Sequence, residues 1–181
     1  MNVFSFSLYG NNPIYLIGVV KNLEIINYLF PDWKTIISYA DNVDKNIITE
    51  LRDKGAILIE KDHKFSFTGM FWRFLPICDT SVDVMISRDC DSRLCMREKY
   101  AVDDWISSGN GFHIMRDHPH HGYHILGGMW GCRNGIMREI NLSNKIKEWN
   151  KFNVKLFSIL KEVLFLEYDE ENSFICFSPL A

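Results

Sequence analysis

The stretch Val82-Asp83-Val84-Met85-Ile86-Ser87-Arg88-Asp89-Cys90-Asp91-Ser92-Arg93-Leu94-Cys95-Met96-Arg97 decides how the chain is read. Val82, Val84, Met85 and Ile86 form a short apolar run of the kind that becomes a buried strand, and it gives way at once to two aspartates and three arginines. A strand feeding a charged loop is expected. Asp89 and Asp91 stand one residue apart, so a tight turn aims both carboxylates at one hard divalent cation, while the arginines suit phosphate or carboxylate. The same residues also suit a solvated loop of surface ion pairs, each contributing little. D-x-D is a very short motif, and both readings stand until the neighbouring strands are placed.

Upstream, Val3, Phe4, Phe6 and Leu8 alternate with serines and meet Tyr9, Gly10, Asn11, Asn12 and Pro13, a dense set of turn formers. This predicts a first strand and its exit loop. Over 15–29, Leu16, Val19, Val20, Leu23, Ile26 and Leu29 recur at spacings of three and four, the mark of one buried helix face, and Pro31 stops it. Residues 35–40 favour a strand and end at Asp41. Asn42 or Asp44 then caps a short helix carrying Ile47, Ile48 and Leu51, closed at Gly55, before a third strand over 56–60. Alternation of strand and helix predicts a mostly parallel α/β sheet, in which ligands gather at the carboxyl ends of the strands. Tyr9, Gly10, Asn11, Asn12, Asp41 and the two aspartates after Ile86 are therefore expected along one edge.

Nearer the opening stretch, Phe71, Trp72, Phe74 and Leu75 predict a helical turn packed on the sheet. Arg73 stands among them, either snorkelling to solvent or held towards an anion. Residues 96–107 predict a helix with Ala101, Val102 and Trp105 facing inward and Glu98, Lys99, Asp103 and Asp104 outward, ended by Gly109. Phe112, Ile114 and Met115 make a short strand that runs into Arg116-Asp117-His118-Pro119-His120-His121-Gly122-Tyr123-His124. Five of the six histidines lie between His113 and His124. A transition-metal site is one reading, although the spacing fits no standard zinc pattern and Pro119 keeps the run from stacking ligands on one helix face. A loop presenting imidazole and carboxylate to a polar substrate, with Asp117 as base, is the better one. Gly127 and Gly128 before Met129-Trp130-Gly131 indicate backbone passing close to another group. The Trp130 indole is then either a wall of the site or part of the core.

Composition is that of an ordinary globular chain: hydrophobic residues are 47% and charged residues 24%, and a net charge of −3 supplies no basic footprint for nucleic acid. The five cysteines follow no disulfide or C-x-x-C pattern and read as free thiols. No signal peptide and no transmembrane run are expected, which gives a cytoplasmic protein as the default.

Several of these segments together resemble a group of GT-A-type glycosyltransferases and glycosyltransferase-like proteins from bacteria and large DNA viruses. They are Phe6-Ser7-Leu8-Tyr9-Gly10-Asn11-Asn12-Pro13, Phe71-Trp72-Arg73-Phe74-Leu75, Ser87-Arg88-Asp89-Cys90-Asp91-Ser92-Arg93-Leu94 with Arg97-Glu98-Lys99, His113-Ile114-Met115-Arg116-Asp117-His118-Pro119 and Leu126-Gly127-Gly128-Met129-Trp130-Gly131. The resemblance covers roughly residues 3–135. It implies a nucleotide-sugar donor at the strand ends, a saccharide or other hydroxyl acceptor, and Mn²⁺ or Mg²⁺ bound by the D-x-D motif on the donor diphosphate. Asp91 would be the metal ligand, and Asp89 would serve the metal or the donor ribose. Arg73, Arg88 and Arg93 would contact diphosphate or sugar, with Tyr9, Gly10, Asn11, Asn12 and Asp41 near the base and ribose. Asp117 would activate the acceptor hydroxyl, and His118, Gly127, Gly128 and Trp130 would bind acceptor or sugar.

The chain departs from that pattern after Gly131. There is no Asp-Gln pair and no histidine beyond His124 to complete the metal site. The expected organisation is a GT-A-like domain over 1–140 and an atypical helical tail over 141–181, whose apolar run suits packing or homo-oligomerisation. Two alternatives follow: a catalytically incomplete remnant that binds a nucleotide or a partner, and a metal-dependent hydrolase that uses the Asp and His clusters.

Overall fold

The computed structural model describes residues 1–62, 68–116 and 126–135, with the single residue 144. Asp117, His118 and the tail over 141–181, Asn144 apart, lie outside the described residues.

The first half follows its sequence pattern closely. β1 (Asn2–Leu8) leads through a short loop into α1 (Pro13–Leu29), then come β2 (Lys34–Ala40), α2 (Lys45–Asp53) and β3 (Ile57–Lys61). Pro13 belongs to α1 rather than to the loop before it. Asn12 caps the helix, its side chain accepting from the Ile14 N–H at 3.0 Å, and Pro13 takes the first helical position, where a missing N–H costs nothing. Asp44 caps α2 by accepting from the Asn46 N–H at 2.8 Å.

A 3-10 helix (Thr68–Cys78) then carries the chain to β4 (Val84–Arg88). After it come α3 (Met96–Ser108), β5 (Phe112–Ile114) and β6 (Met129–Arg133). Gly109 closes α3 at φ 74°, a left-handed conformation that glycine adopts without penalty.

The six strands form one sheet in the order β3-β2-β1-β4-β6-β5. The ladders β1–β2, β1–β4 and β2–β3 are parallel. β6 runs antiparallel to both β4 and β5. From β1 the chain winds one way to β2 and β3, then returns to place β4 on the other side of β1, which makes the β1/β4 boundary a topological switch point.

Alternation along the strands divides the core in two. Phe4, Phe6 and Leu8 of β1 and Val84 and Ile86 of β4 face a layer built with Leu16, Val19, Leu23 and Ile26 of α1, Leu51 of α2, and Val102 and Trp105 of α3. Val3 and Met85 face the opposite side, where Phe71, Phe74 and Ile77 of the 3-10 helix pack. Trp130 belongs to this second cluster, 1% exposed with its ring 5.4 Å from that of Phe74. It is a core residue and presents no wall to a ligand.

Two charged residues, one in the opening stretch and one just after it, also sit differently from their sequence expectation. Arg88 ends β4 with 2% of its side chain exposed, and it pairs at 2.8 Å with Glu98 of α3, itself 8% exposed. Glu98 thus faces inward, because burying Arg88 requires an anion beside it.

Candidate functional site

Because β1, β2 and β4 are parallel, the loops that follow them emerge at one edge of the sheet. β6 runs the other way, so the turn that precedes it, with Gly127 and Gly128, arrives at the same edge. At the β1/β4 switch point this edge opens into a cleft of about 360 Å³. Ser7 lines it from β1, Tyr9 from the loop that follows, Tyr15 from α1, Met70 and Arg73 from the 3-10 helix, and Asp89, Cys90 and Asp91 from the loop after β4. Tyr9, Arg73, Asp89 and Asp91 therefore meet, although up to 82 positions separate them in sequence.

Arg73 is the cationic centre of this cleft. It is 9% exposed, and its Nη1 donates to Oδ1 of Asp89 in a close ion pair and to the Arg88 carbonyl at 3.3 Å. Of its two expected environments, the structure selects the anion. Its backbone N–H donates to the Ser7 hydroxyl at 3.0 Å, which ties the 3-10 helix to β1. The Arg73 Nε is buried with no partner among the described residues. Arg73 lines the cleft, and a planar guanidinium there is suited to a further oxyanion.

The aspartate loop is held from behind. Asn22 of α1, fully buried, donates from Nδ2 to the carbonyls of Ser92 at 2.9 Å and Cys90 at 3.2 Å, and its Oδ1 accepts from the Leu94 N–H at 3.2 Å. Gly18, one turn earlier, lets the Cys90 carbonyl lie directly on the helix. Asp89 itself is 44% exposed on its side chain, and Asp91 is exposed.

Cys90, between them, is buried, with its thiol 3.2 Å from the Ser7 carbonyl. Burial pushes the thiol up to about 12, so it stays protonated at neutral pH and is not a nucleophile. Burial also raises the Tyr9 phenol, against the charge of Arg73, which keeps it a neutral hydrogen-bonding group.

The remaining expected site residues divide. Gly10, at φ 71°, donates its N–H to Asn42 Oδ1 at 3.0 Å, and Asn11 bridges the same loops through the Asn42 carbonyl at 2.9 Å and the Asp44 N–H at 3.0 Å. Asn11 and Asn12 are thus committed to shaping the β1–α1 loop, and Asp41 is exposed beside it. Gly127 accepts from the Ser87 hydroxyl at 2.7 Å, and Gly128 packs against Asp89. Arg93 turns back to the Cys90 carbonyl at 3.1 Å, over Gly18, and does not line the cleft. Arg88 is enclosed with Glu98 and also donates to the Gly128 carbonyl at 3.2 Å, so it supports the turn rather than facing the cleft.

Ser7, Tyr15, Gly18, Asn22 and Met70 were not among the expected site residues. For Gly18 and Asn22 a signal existed: they are one helical turn apart on the otherwise apolar face of α1, where a small and a polar residue need a reason.

Asp89 and Asp91 are hard oxygen donors at the mouth of the cleft. Among the described residues no group of three or more His, Cys, Asp or Glu could hold a metal ion. Magnesium and manganese ions are commonly held by one or two carboxylates with substrate phosphates and water completing the shell. The two aspartates fit an ion that arrives with a diphosphate, with Asp91 the freer of the two.

No protein-family model matches the sequence, and no curated protein matches it. Its fold is shared with solved structures. The chain is similar to 4-diphosphocytidyl-2C-methyl-D-erythritol synthase from Anaerococcus prevotii, at 9% identity and TM-score 0.56, over 90% of this chain and 82% of that one. An active-site mutant of LgtC aligns at 14% identity and TM-score 0.53, over 91% of this chain and 70% of that one. TarS of S. aureus aligns at 10% identity and TM-score 0.54, over 78% of this chain. The chain spans 50% of the length of that TarS structure. TarS and LgtC are glycosyltransferases, and the shared architecture is the GT-A-like fold. No helix among the described residues is long and apolar enough to cross a membrane.

Proposed function

We propose that the protein is a metal-assisted glycosyltransferase, which binds a nucleotide-sugar donor in the cleft at the β1/β4 switch point and moves the sugar to a hydroxyl of a saccharide or other acceptor. The observation that carries this reading is the convergence of Arg73, Asp89, Asp91 and Tyr9 on one cleft at the strand ends of a GT-A-like sheet.

Transfer requires stabilisation of the charge that develops on the leaving diphosphate. Arg73 supplies a fixed guanidinium for that charge, held in place by Asp89 and the Arg88 carbonyl. Asp91, with Asp89, would hold Mn²⁺ or Mg²⁺, which when bound acts as a Lewis acid on the diphosphate oxygens. Tyr9 and Tyr15 offer ring surface for the nucleoside. Asp117, with His118 beside it in sequence, is the proposed base for the acceptor hydroxyl.

The Arg73–Asp89 ion pair favours a second reading, in which the cleft binds a nucleotide and transfers nothing, since an aspartate already paired needs less from a metal. One set of measurements separates them. Thermal unfolding is followed with ADP, CDP, GDP and UDP and with nucleotide sugars, each with and without Mn²⁺. A ligand that binds only the folded state at about a hundred times its Kd adds roughly 2.7 kcal/mol of stability. The transferase reading expects Mn²⁺-dependent stabilisation and slow donor hydrolysis, both lost in Asp91→Ala. Stabilisation without hydrolysis supports the binding reading. If no nucleotide stabilises the protein and Asp91→Ala behaves like the unaltered chain, both readings are wrong.

A further inference from the structure

We infer that Asn22 is a positioning residue for this site: from the buried face of α1 it sets the shape in which the loop over 89–94 presents Asp91 to the cleft. The inference rests on the reading of the cleft as a nucleotide-sugar site.

Asn22 has 0% exposure in the middle of an apolar helix face. A primary amide there is unfavourable unless its donors and acceptor are used. Among the described residues, every hydrogen bond of its side chain goes to the aspartate loop. Nδ2 reaches the carbonyls of Ser92, Cys90 and Asp89 at 2.9, 3.2 and 3.5 Å, and Oδ1 takes the Leu94 N–H at 3.2 Å. One side chain thus fixes both ends of the turn that contains Asp91.

The orientation matters as much as the anchoring. In a trans peptide the N–H points opposite to the preceding C=O. Drawing the carbonyls of Asp89, Cys90 and Ser92 onto Asn22 therefore turns the amides of Cys90, Asp91 and Arg93 away from α1. Gly18 completes the seat, because a Cβ there would overlap the Cys90 carbonyl oxygen and approach Arg93 Nη1 to 2.9 Å. Neither Gly18 nor Asn22 lines the cleft, so neither contacts a donor bound there. Groups that orient metal-binding carboxylates from behind typically change metal affinity by roughly 10- to 100-fold when removed.

The test uses two variants that disturb the seat differently. Asn22→Ala removes the hydrogen bonds and leaves Gly18, whereas Gly18→Ala keeps Asn22, adds helix propensity and pushes the Cys90 carbonyl off the helix. Three quantities are read: hydrogen exchange of the Leu94 amide in ligand-free protein, affinity for the best-binding nucleoside diphosphate without Mn²⁺, and the gain in that affinity on adding Mn²⁺. Both variants are expected to accelerate Leu94 exchange and to lose the Mn²⁺-dependent gain by roughly 10- to 100-fold. The Mn²⁺-free affinity should change less than about twofold.

Retention of the full Mn²⁺ gain in a folded variant overturns the inference, whatever happens to exchange. So does an equal fall of both affinities in step with stability, which is the mark of a structural role alone. A failure of the site reading is seen earlier and separately, as an unaltered protein that no nucleoside diphosphate stabilises.

Discussion

Gly128 lies so close to Asp89 that a methyl group on it would collide with the carboxylate and stand 2.7 Å from the Asp89 backbone nitrogen. With Oδ1 taken by Arg73, the Asp89 side chain is clamped between a cation and a glycine. The backbone nitrogen cannot rotate out of the way as a flexible side chain would. Gly128→Ala is therefore expected to cost about 1–3 kcal/mol in urea unfolding, the usual cost of overpacking. It should also weaken nucleoside diphosphate binding beyond that loss of stability. Normal binding in the variant would show that the turn is free to move.

Arg73→Lys tests whether the guanidinium fork matters or only its charge. Lysine keeps the charge but reaches Asp89 and an incoming oxyanion as a single point. One charged hydrogen bond contributes about 1.5–3 kcal/mol, so binding of the best nucleoside diphosphate should weaken by about tenfold or more. Titration calorimetry measures it, and an unchanged Kd would remove Arg73 from the proposed diphosphate contacts.

Arg88 and Glu98 form a pair almost closed to water. Glu98→Ala leaves a buried guanidinium without its anion and should destabilise the fold by about 3–5 kcal/mol. Replacing both, Arg88→Met with Glu98→Leu, should recover most of that, since no charge is then stranded. Urea denaturation of Arg88→Met, of Glu98→Leu and of the double variant gives the coupling. Additive losses would mean that the two side chains do not act as a pair.

His113 on β5 stacks on Trp105 at 5.2 Å, and burial, with the Arg88 charge, pulls its imidazole down to about 4. The folded chain therefore refuses a proton that the unfolded chain accepts near its ordinary value of about 6.5. Stability from this residue is full above that value and is lost as pH falls towards 4. His113→Phe keeps the stack and removes the titration, so its stability should fall less steeply between about pH 6.5 and about pH 4. Identical slopes in urea unfolding across that window would contradict the assignment.

The strand–helix–strand half was legible in the sequence because its signals are local: apolar spacing in α1, a cap at Asp44, and alternation in β1. The meeting of Tyr9 with Asp89 and Asp91 followed from parallel strand direction, whereas Arg73 arrives on the 3-10 helix and was placed beside them only by the resemblance. What stayed hidden depended on partners distant in the chain. Glu98 has the charge of a solvent-facing helix residue, and only Arg88, arriving from the sheet, draws it inward. Trp130 is surrounded in sequence by glycines, which suits a loop as well as a core strand, and packing against Phe74 decides it. The direction of β6 leaves no trace in five residues that alternate weakly.

That direction has a bearing on how the chain assembles. β6 is later in sequence than β5 yet lies between β5 and β4. During synthesis β4 has an open edge, and Phe112, His113 and Ile114 have no place in the sheet, until residues 129–133 have emerged. The last strand among the described residues is thus the one that brings its neighbour in, closing an exposed hydrogen-bonding edge of the kind that invites aggregation. The same event seats Gly128 beside Asp89, so this residue of the cleft is backed only once β6 has paired with β4.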